Sequence, residues 1–419
     1  MDEARSGEAD VAGKHGAKAG DAALYRILVL NQISAAGLKR LPHDRYTCGK
    51  DIADPDAILV RSSDMHAMAI PQSVRAIARA GAGTNNIPVA DMNARGVPVF
   101  NAPGANANAV KELVLTGLLL AARNVVPALR FVRALTGDDK SLSVQIEAGK
   151  KDFAGCELAQ HTLGIIGLGK IGSLVADAAI KLGMNVLGYD PHITVDAAWS
   201  LPSTVKKANS VEEVLKHSHF VTIHVPLIEK TRGLIDAKAL EQMRPGAVLL
   251  NFSRDGIVVD TAVAAALASH RLKSYVCDFP SNALKPALEE GTAIALPHLG
   301  ASTREAEDNS AVMVVDQLRD YLEHGNVGNA VNFPDVMMAR ESPYRVAIAN
   351  ANVPNMLGQI STAMAEAGLN IHNMLNKSRG EMAYTLVDVD SPVPQAVTAR
   401  IAAIEGVLAV RYLPVAAAR

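Results

Sequence analysis

The chain has 419 residues, enough for two or three domains at about 150 each, and its 49% hydrophobic and 20% charged content is ordinary for a globular protein. Its 41 basic and 43 acidic residues leave a formal charge of −2, which excludes a surface built to coat nucleic acid or an anionic membrane. Three scattered cysteines (Cys48, Cys156, Cys277) with no CxxC pair exclude a disulfide framework or structural zinc, and no metal centre is expected. The longest apolar stretch, Leu113 to Ala122, is well short of the roughly 18 residues of a membrane span. A cytoplasmic α/β protein is expected.

Residues 1–23 hold one valine and no other large aliphatic or aromatic side chain. So little apolar surface cannot offset the entropy of ordering, and the absence of an apolar h-region argues against a secretory signal, so a disordered tail is expected. From Tyr25, the runs RILVL (26–30), AILVR (57–61), AIARAG (76–81) and VPVFNA (97–102) read as strands separated by helix-length segments. That is the βαβ rhythm of a parallel sheet, and an apolar connecting helix follows over Ala109 to Ala122. Six further short apolar runs fit a second sheet covered on both faces: 162–167, 185–190, 220–225, 247–252, 274–279 and 293–297. A helix over Ser302 to Glu323 and a Gly/Asn-rich stretch (324–334) come next.

Beyond Ser342 strands are expected at 345–350, near Asn370, at 381–390 and at 407–413. Two helices separate them, marked by Leu357, Ile360, Met364 and Ala367 and by Val397, Ile401 and Ile404, giving the order βαββαβ. The expected fold class is α/β: two doubly wound, Rossmann-like parallel-sheet lobes plus a C-terminal α+β ferredoxin-like module.

LGIIGLGKIG sets Gly167, Gly169 and Gly172 in G-x-G-x-x-G spacing, with Lys170 and Ile171 between them, a strand before and a helix (Lys170 to Leu182) after. The first glycine permits a tight turn, the second close approach of a pyrophosphate, and the third helix–strand packing, while the helix N-terminus faces the phosphates. Asp190 ends the next strand 18 residues after Gly172, placed for ribose hydroxyls and against a 2′-phosphate. No arginine stands beside it in YDPHIT, so NAD rather than NADP is the expected cofactor.

NFSRDG and LPHLGAST set Arg254 and His298 just past two strands, at the carboxyl edge where such sheets bind ligands. A guanidinium can clamp a carboxylate, and an imidazole can take a hydroxyl proton. Taken singly, each reads as readily as a surface or structural residue.

With the glycine fingerprint, these segments resemble the D-2-hydroxyacid dehydrogenase family, in the branch that carries a C-terminal ACT domain. The resemblance runs from about Tyr25 and rests on RAGAGTNNIP, VFNAPGANANAVKE, GLGKIG, HVPLIEKTRGLI, NFSRDG, CDFP and PHLGAST. It implies a discontinuous substrate-binding lobe (24–122 and 302–338), an inserted NAD-binding domain (123–301) and an ACT module (343–419). The active site is then expected between the two lobes. The implied reaction is NAD-dependent oxidation of D-3-phosphoglycerate to 3-phosphohydroxypyruvate, the first step of serine synthesis.

By the same resemblance Arg254 holds the carboxylate and carbonyl oxygen of a small anionic substrate, and His298 is the acid/base. Backbone at Ala82 and Gly83 meets the substrate carboxylate, Arg61 its phosphate, and Asn106, with Asn108, approaches substrate and nicotinamide. Turn formation is the other reading of these asparagines. The implied cofactor set is Gly167, Gly169, Lys170, Ile171, Gly172, Asp190, His224, Pro226, Thr231, Ser253 and Asp278. Two positions depart from the family. Asn282 stands near the slot of a glutamate that pairs with the histidine, which leaves Asp278 as either a nicotinamide contact or the histidine's partner, with Glu289 and Glu290 as remote alternatives on a loop. Asp255, where glycine is usual, puts a negative charge beside Arg254.

The ACT resemblance implies a small amino-acid effector, serine, at Asn350, Asn352 and Asn370, although asparagines here also suit helix caps and turns. It further implies a homodimer or homotetramer, with no nucleic-acid or membrane partner. Two other functions fit the same residues. One is a dehydrogenase for another D-2-hydroxyacid such as 2-hydroxyglutarate, whose second carboxylate would take the phosphate's place at Arg61. The other is a non-catalytic NAD-sensing scaffold or corepressor, which would have no need of both Arg254 and His298.

Overall fold

The computed structural model describes residues 24–415, so the tail expected at 1–23 lies outside the described residues. Three sheets organise the chain. The first is wholly parallel, with β1 (Tyr25–Val29), β2 (Tyr46–Gly49), β3 (Ala57–Val60), β4 (Ala76–Arg79) and β5 (Val99–Phe100) in the order β2-β1-β3-β4-β5. Every residue of β3 is buried, because helices cover both faces. One cover comes from far along the chain: helix Arg304–His324, capped by the Thr303 hydroxyl and stopped by Gly325 at φ +76°. Its Ala311, Val314 and Leu318 pack with Ile27, Leu59 and Ala78, so segments far apart in the chain share this core. β2 carries little sequence signal, since YTCG buries only Tyr46 at the sheet edge.

The second sheet is also parallel: β6 (Thr162–Ile166), β7 (Asn185–Tyr189), β8 (Lys206–Lys207), β9 (Phe220–Ile223), β10 (Ala247–Asn251), β11 (Leu272–Cys277) and β12 (Ala293–Ala295). The order β12-β11-β10-β9-β6-β7-β8 reverses between β6 and β9, and that reversal is the switch point where such sheets open for a ligand. Helix Ala107–Ala122 lays Val110, Val114 and Leu118 against Leu163, Leu250 and Val276 of this sheet. By packing it therefore lies with the second sheet. Gly117 explains the fit, since a Cβ there would stand 3.1–3.2 Å from Val276, Leu250 and Phe252. Helices Val125–Ala134 and Asp139–Gly149 follow with no buried residue. Among the described residues no single helix is long and apolar enough to cross a membrane.

The third sheet is antiparallel, with β13 (Tyr344–Ala351), β14 (Ile371–Arg379), β15 (Met382–Val389) and β16 (Val407–Pro414) in the order β14-β15-β13-β16. Val346 and Ile348 face its helices Met356–Glu366 and Gln395–Ala402, while Ala347 and Ala349 face the opposite way. That opposite face is docked on the first lobe, where Tyr384, Leu386 and Leu413 share one core with Tyr321, Leu322 and Phe333. β15 is accordingly buried at every position. At the seam the fully buried Arg345 binds the Asp388 carboxylate through Nε and Nη2 (2.6 and 2.8 Å). Its remaining donors reach the carbonyls of His324, Met338 and Ala339 at 2.9–3.1 Å.

Candidate active site

The two lobes meet where Gly104, on the loop after β5, lies against the Lys170 side chain at the start of helix Lys170–Lys181. The glycine turn is built as its spacing requires. Gly167 sits at φ +96°, and a Cβ there would stand 2.7 Å from the His224 carbonyl. A Cβ on Gly172 would fall 2.0 Å from the Gly167 oxygen, so strand and helix touch through it. At Gly169 nothing lies within 4 Å, which leaves an open cradle at the helix N-terminus. It opens into a cavity of about 670 Å³ lined by Gly104, Ala107, Gly169, Lys170 and Ser173.

Asp190 accepts the N–H groups of Leu168 and His192, each at 2.9 Å, which holds its carboxylate at the mouth of the turn. Beside it lies a second cavity of about 480 Å³ with apolar walls from Ile193, Leu201 and Val205. Open cradle, ribose-level carboxylate and apolar slot fit an NAD molecule. His224 donates to or accepts from the Thr222 hydroxyl through Nε2 at 3.0 Å, and its Nδ1 is buried with no partner among the described residues. Burial pushes its pKa down to about 3, so the ring is neutral. The Thr231 hydroxyl donates to the Pro226 carbonyl at 2.6 Å and the Ser253 hydroxyl to that of Val225, so both shape the loop around this mouth.

Arg254 is exposed and stands on a turn clamped by the buried Asn251, whose side chain accepts the Ser253 N–H and donates to the Arg254 carbonyl. Its own Nη1 donates to Ser253 rather than pairing with Asp255. His298 is exposed at φ +57°, a left-handed conformation unusual for a side-chain-bearing residue. What holds it there is Asp278. The Asp278 carbonyl accepts the His298 N–H (3.2 Å), and its two carboxylate oxygens accept those of Leu299 (2.7 Å) and Gly300 (2.8 Å). Both oxygens of the 1%-exposed carboxylate are thus used by the loop that carries the imidazole. Between the two roles left open for Asp278, the geometry adds a third, positioning through the backbone. The Phe279 ring packs edge-on against His298 at 5.1 Å, while Asn282 is exposed at the start of a 3₁₀ turn. Among the described residues no side chain hydrogen-bonds the His298 ring, and no group of His, Cys, Asp and Glu could hold a metal.

Across the cleft the first lobe contributes a residue to which no role is assigned from sequence. Arg79, at the end of β4, donates from Nε to the Arg61 carbonyl at 3.1 Å, and its guanidinium lies over Gly81. Burial and the nearby Arg61 and Arg254 guanidiniums lower its pKa. Arg79 thus sits directly on Arg61 and within the electrostatic reach of Arg254, a local excess of positive charge that favours an anion. The available signal was position: Arg61, Arg79 and Arg254 all stand at or just past the carboxyl ends of parallel strands. Asn101 donates to the Ala82 carbonyl at 2.6 Å, which steadies the loop through Ala82 and Gly83. Asn106 begins helix Ala107–Ala122 with no side-chain cap bond, whereas Asn108 turns along the helix to Lys111 and Glu112.

In the terminal module Asn350 is buried on the helix side of β13; Nδ2 donates to the Ala351 carbonyl at 2.7 Å and Oδ1 has no partner among the described residues. Asn352 is exposed and donates to Gly380 at 3.0 Å, and Asn370 is exposed. No hydrogen bond joins the three asparagines among the described residues.

Residues 115–300 match the model of the D-isomer specific 2-hydroxyacid dehydrogenase, NAD binding domain. A D-3-phosphoglycerate dehydrogenase of Haemophilus influenzae is 32% identical over 340 residues, covering 79% of this chain and 79% of that one. One of Methanocaldococcus jannaschii is 31% identical over 81% of this chain, which spans 62% of that protein's length. Among solved structures, the NAD+-bound 3-phosphoglycerate dehydrogenase of Entamoeba histolytica has the same fold, with a TM-score of 0.58 and 24% identity over 74% of this chain and 99% of that one.

Proposed function

The chain belongs to the D-isomer specific 2-hydroxyacid dehydrogenase family, and on that premise we propose that it oxidises D-3-phosphoglycerate to 3-phosphohydroxypyruvate with NAD, opening serine synthesis. The observation that carries the reading is the placement of Arg61, Arg79, Arg254 and His298 at or just past the carboxyl ends of parallel strands, with Arg79 hydrogen-bonded to Arg61. A substrate with an anion at each end needs two separated clamps. Arg254 takes the carboxylate together with the oxygen that becomes a carbonyl, and Arg61 and Arg79 take the phosphate. His298 accepts the hydroxyl proton. Bound NAD supplies the acceptor for the hydride that leaves C2. A dicarboxylic D-2-hydroxyacid is the second reading, favoured by the Glu307 carboxylate already seated on Arg61.

The terminal module is the proposed ACT effector module, supported by the buried Asn350 oxygen, which has no partner among the described residues, and by the exposed Asn352 two residues on. A second copy of the chain would cover the exposed Leu129, Val132, Val144 and Ile146 of the two projecting helices. Three free thiols suit a reducing cytoplasm.

NADH formation across a panel of D-2-hydroxyacids tests this. Phosphoglycerate should be oxidised fastest, and Arg254→Ala and His298→Ala should each lower kcat by about a hundredfold or more while NAD still binds. Wild-type turnover by both variants would end the assignment. In the same assay millimolar L-serine should slow the enzyme, and Asn352→Ala should remove the effect; indifference to serine removes the effector role. A monomeric mass by light scattering would remove the second copy.

A further inference from the structure

Glu307 stands in the first turn of helix Arg304–His324, and its Oε1 accepts from Arg61 Nη2 at 2.7 Å. Of the three guanidiniums in the cleft, Arg61 alone is paired with a carboxylate among the described residues. Arg79 and Arg254 spend their bonds on the carbonyls of Arg61 and Ser253. The pair is partly exposed, with side chains 35% and 41% accessible, so an anion that reaches Arg61 meets the guanidinium and the carboxylate together. Glu307 has little reason to withdraw. Its N–H is bonded to the Thr303 carbonyl, Thr303 caps the helix, and a negative charge in the first turn is favoured by the helix dipole. The other end of the same helix is buried under the terminal module through Tyr321 and Leu322.

We propose that Glu307 is a specificity-determining residue of this cleft: its carboxylate competes with the distal anion of the substrate for Arg61 and so sets the choice between a phosphate dianion and a carboxylate monoanion. The inference rests on the reading above, in which Arg61 faces that distal anion. Repulsion grows with the charge of the group brought up to Glu307, so it penalises a dianion about twice as much as a monoanion. Partial exposure moderates the effect without abolishing it.

The experiment compares the wild type, Glu307→Gln, Arg61→Gln and the double variant. Glu307→Gln should raise kcat/KM for D-3-phosphoglycerate about tenfold, through KM, and that for D-2-hydroxyglutarate by less than about threefold. In the Arg61→Gln background the same change should do little, which isolates the pair. Calorimetric titration of inorganic phosphate into the NAD-loaded proteins should show the same pattern, tighter on Glu307→Gln only while Arg61 is present. Equal gains for both acids, or a loss for both, would overturn the inference and assign Glu307 to holding Arg61 in place. Should neither acid be oxidised, the functional reading falls and the phosphate titration decides alone: tightening that needs Arg61 upholds competition, and unchanged or weaker binding ends it.

Discussion

At the scale of single residues, the site is a set of charged groups whose positions are set by backbone hydrogen bonds. Three consecutive amides, from His298 to Gly300, end on Asp278, and this holds the imidazole in a left-handed conformation at φ +57°. A carboxylate can accept both side-chain bonds; an amide can accept only one and turns an NH₂ toward the other N–H. Asp278→Asn should therefore leave a buried amide unpaired, at a cost of about 1–3 kcal/mol, and release the His298 loop. The expected result is a lower Tm and a kcat reduced by about a hundredfold, with KM for phosphoglycerate changed far less. A kcat at the wild-type level would show that the loop holds its shape without this carboxylate. The positions of His298 and Arg254 just past strand ends are legible in the sequence because each follows an apolar run. The role of Asp278 is not, since neighbouring letters do not say which amides a carboxylate accepts. Arg79 was hidden for a similar reason, as its significance appears only when β4 brings it to Arg61 and Arg254.

At the scale of elements, the strand–turn–helix around Gly167 separates folding from binding. A Cβ at position 172 would collide with the Gly167 backbone oxygen at 2.0 Å, and backbone cannot yield as a side-chain tip can. A Cβ at position 169 would meet nothing. Gly172→Ala should thus lower the stability of the cofactor lobe, whereas Gly169→Ala should keep its melting temperature and weaken NAD by about tenfold or more through loss of the pyrophosphate cradle. Fluorescence titration with NADH beside thermal melts checks the contrast; equal melting temperatures for both variants would contradict it. Strands covered on both faces, such as β9 and β10, show as continuous apolar runs and were legible. β2 and β8 were not, because they are short edge strands with polar side chains. The two helices after Ala122 bury nothing within the described residues, so their exposed apolar side chains, Leu129, Val132, Val144 and Ile146, point to no partner within one copy of the fold.

At the scale of the whole molecule, the terminal module is bound to the catalytic lobe by a polar seam inside an apolar one. Its βαββαβ order was legible; its docking was not, because Tyr384 meets Tyr321 of helix Arg304–His324 some sixty residues away and Ala349 meets Gly96 of the first lobe from much farther along the chain. Arg345 is the centre of the seam, with every N–H group of its guanidinium fork directed at Asp388 or at a carbonyl of His324, Met338 or Ala339. Removing it strands a buried carboxylate, so Arg345→Met should cost about 3–5 kcal/mol. A buried ion pair by itself can often be exchanged for apolar side chains without loss. Here the exchange should be incomplete: Arg345→Met with Asp388→Leu removes the stranded charge but leaves three carbonyls without their donor. Urea unfolding should therefore place the double variant between the single variant and the wild type. A double variant as stable as the wild type would mean that the apolar face alone holds the module, and one no better than Arg345→Met would mean that the carbonyls outweigh the pair.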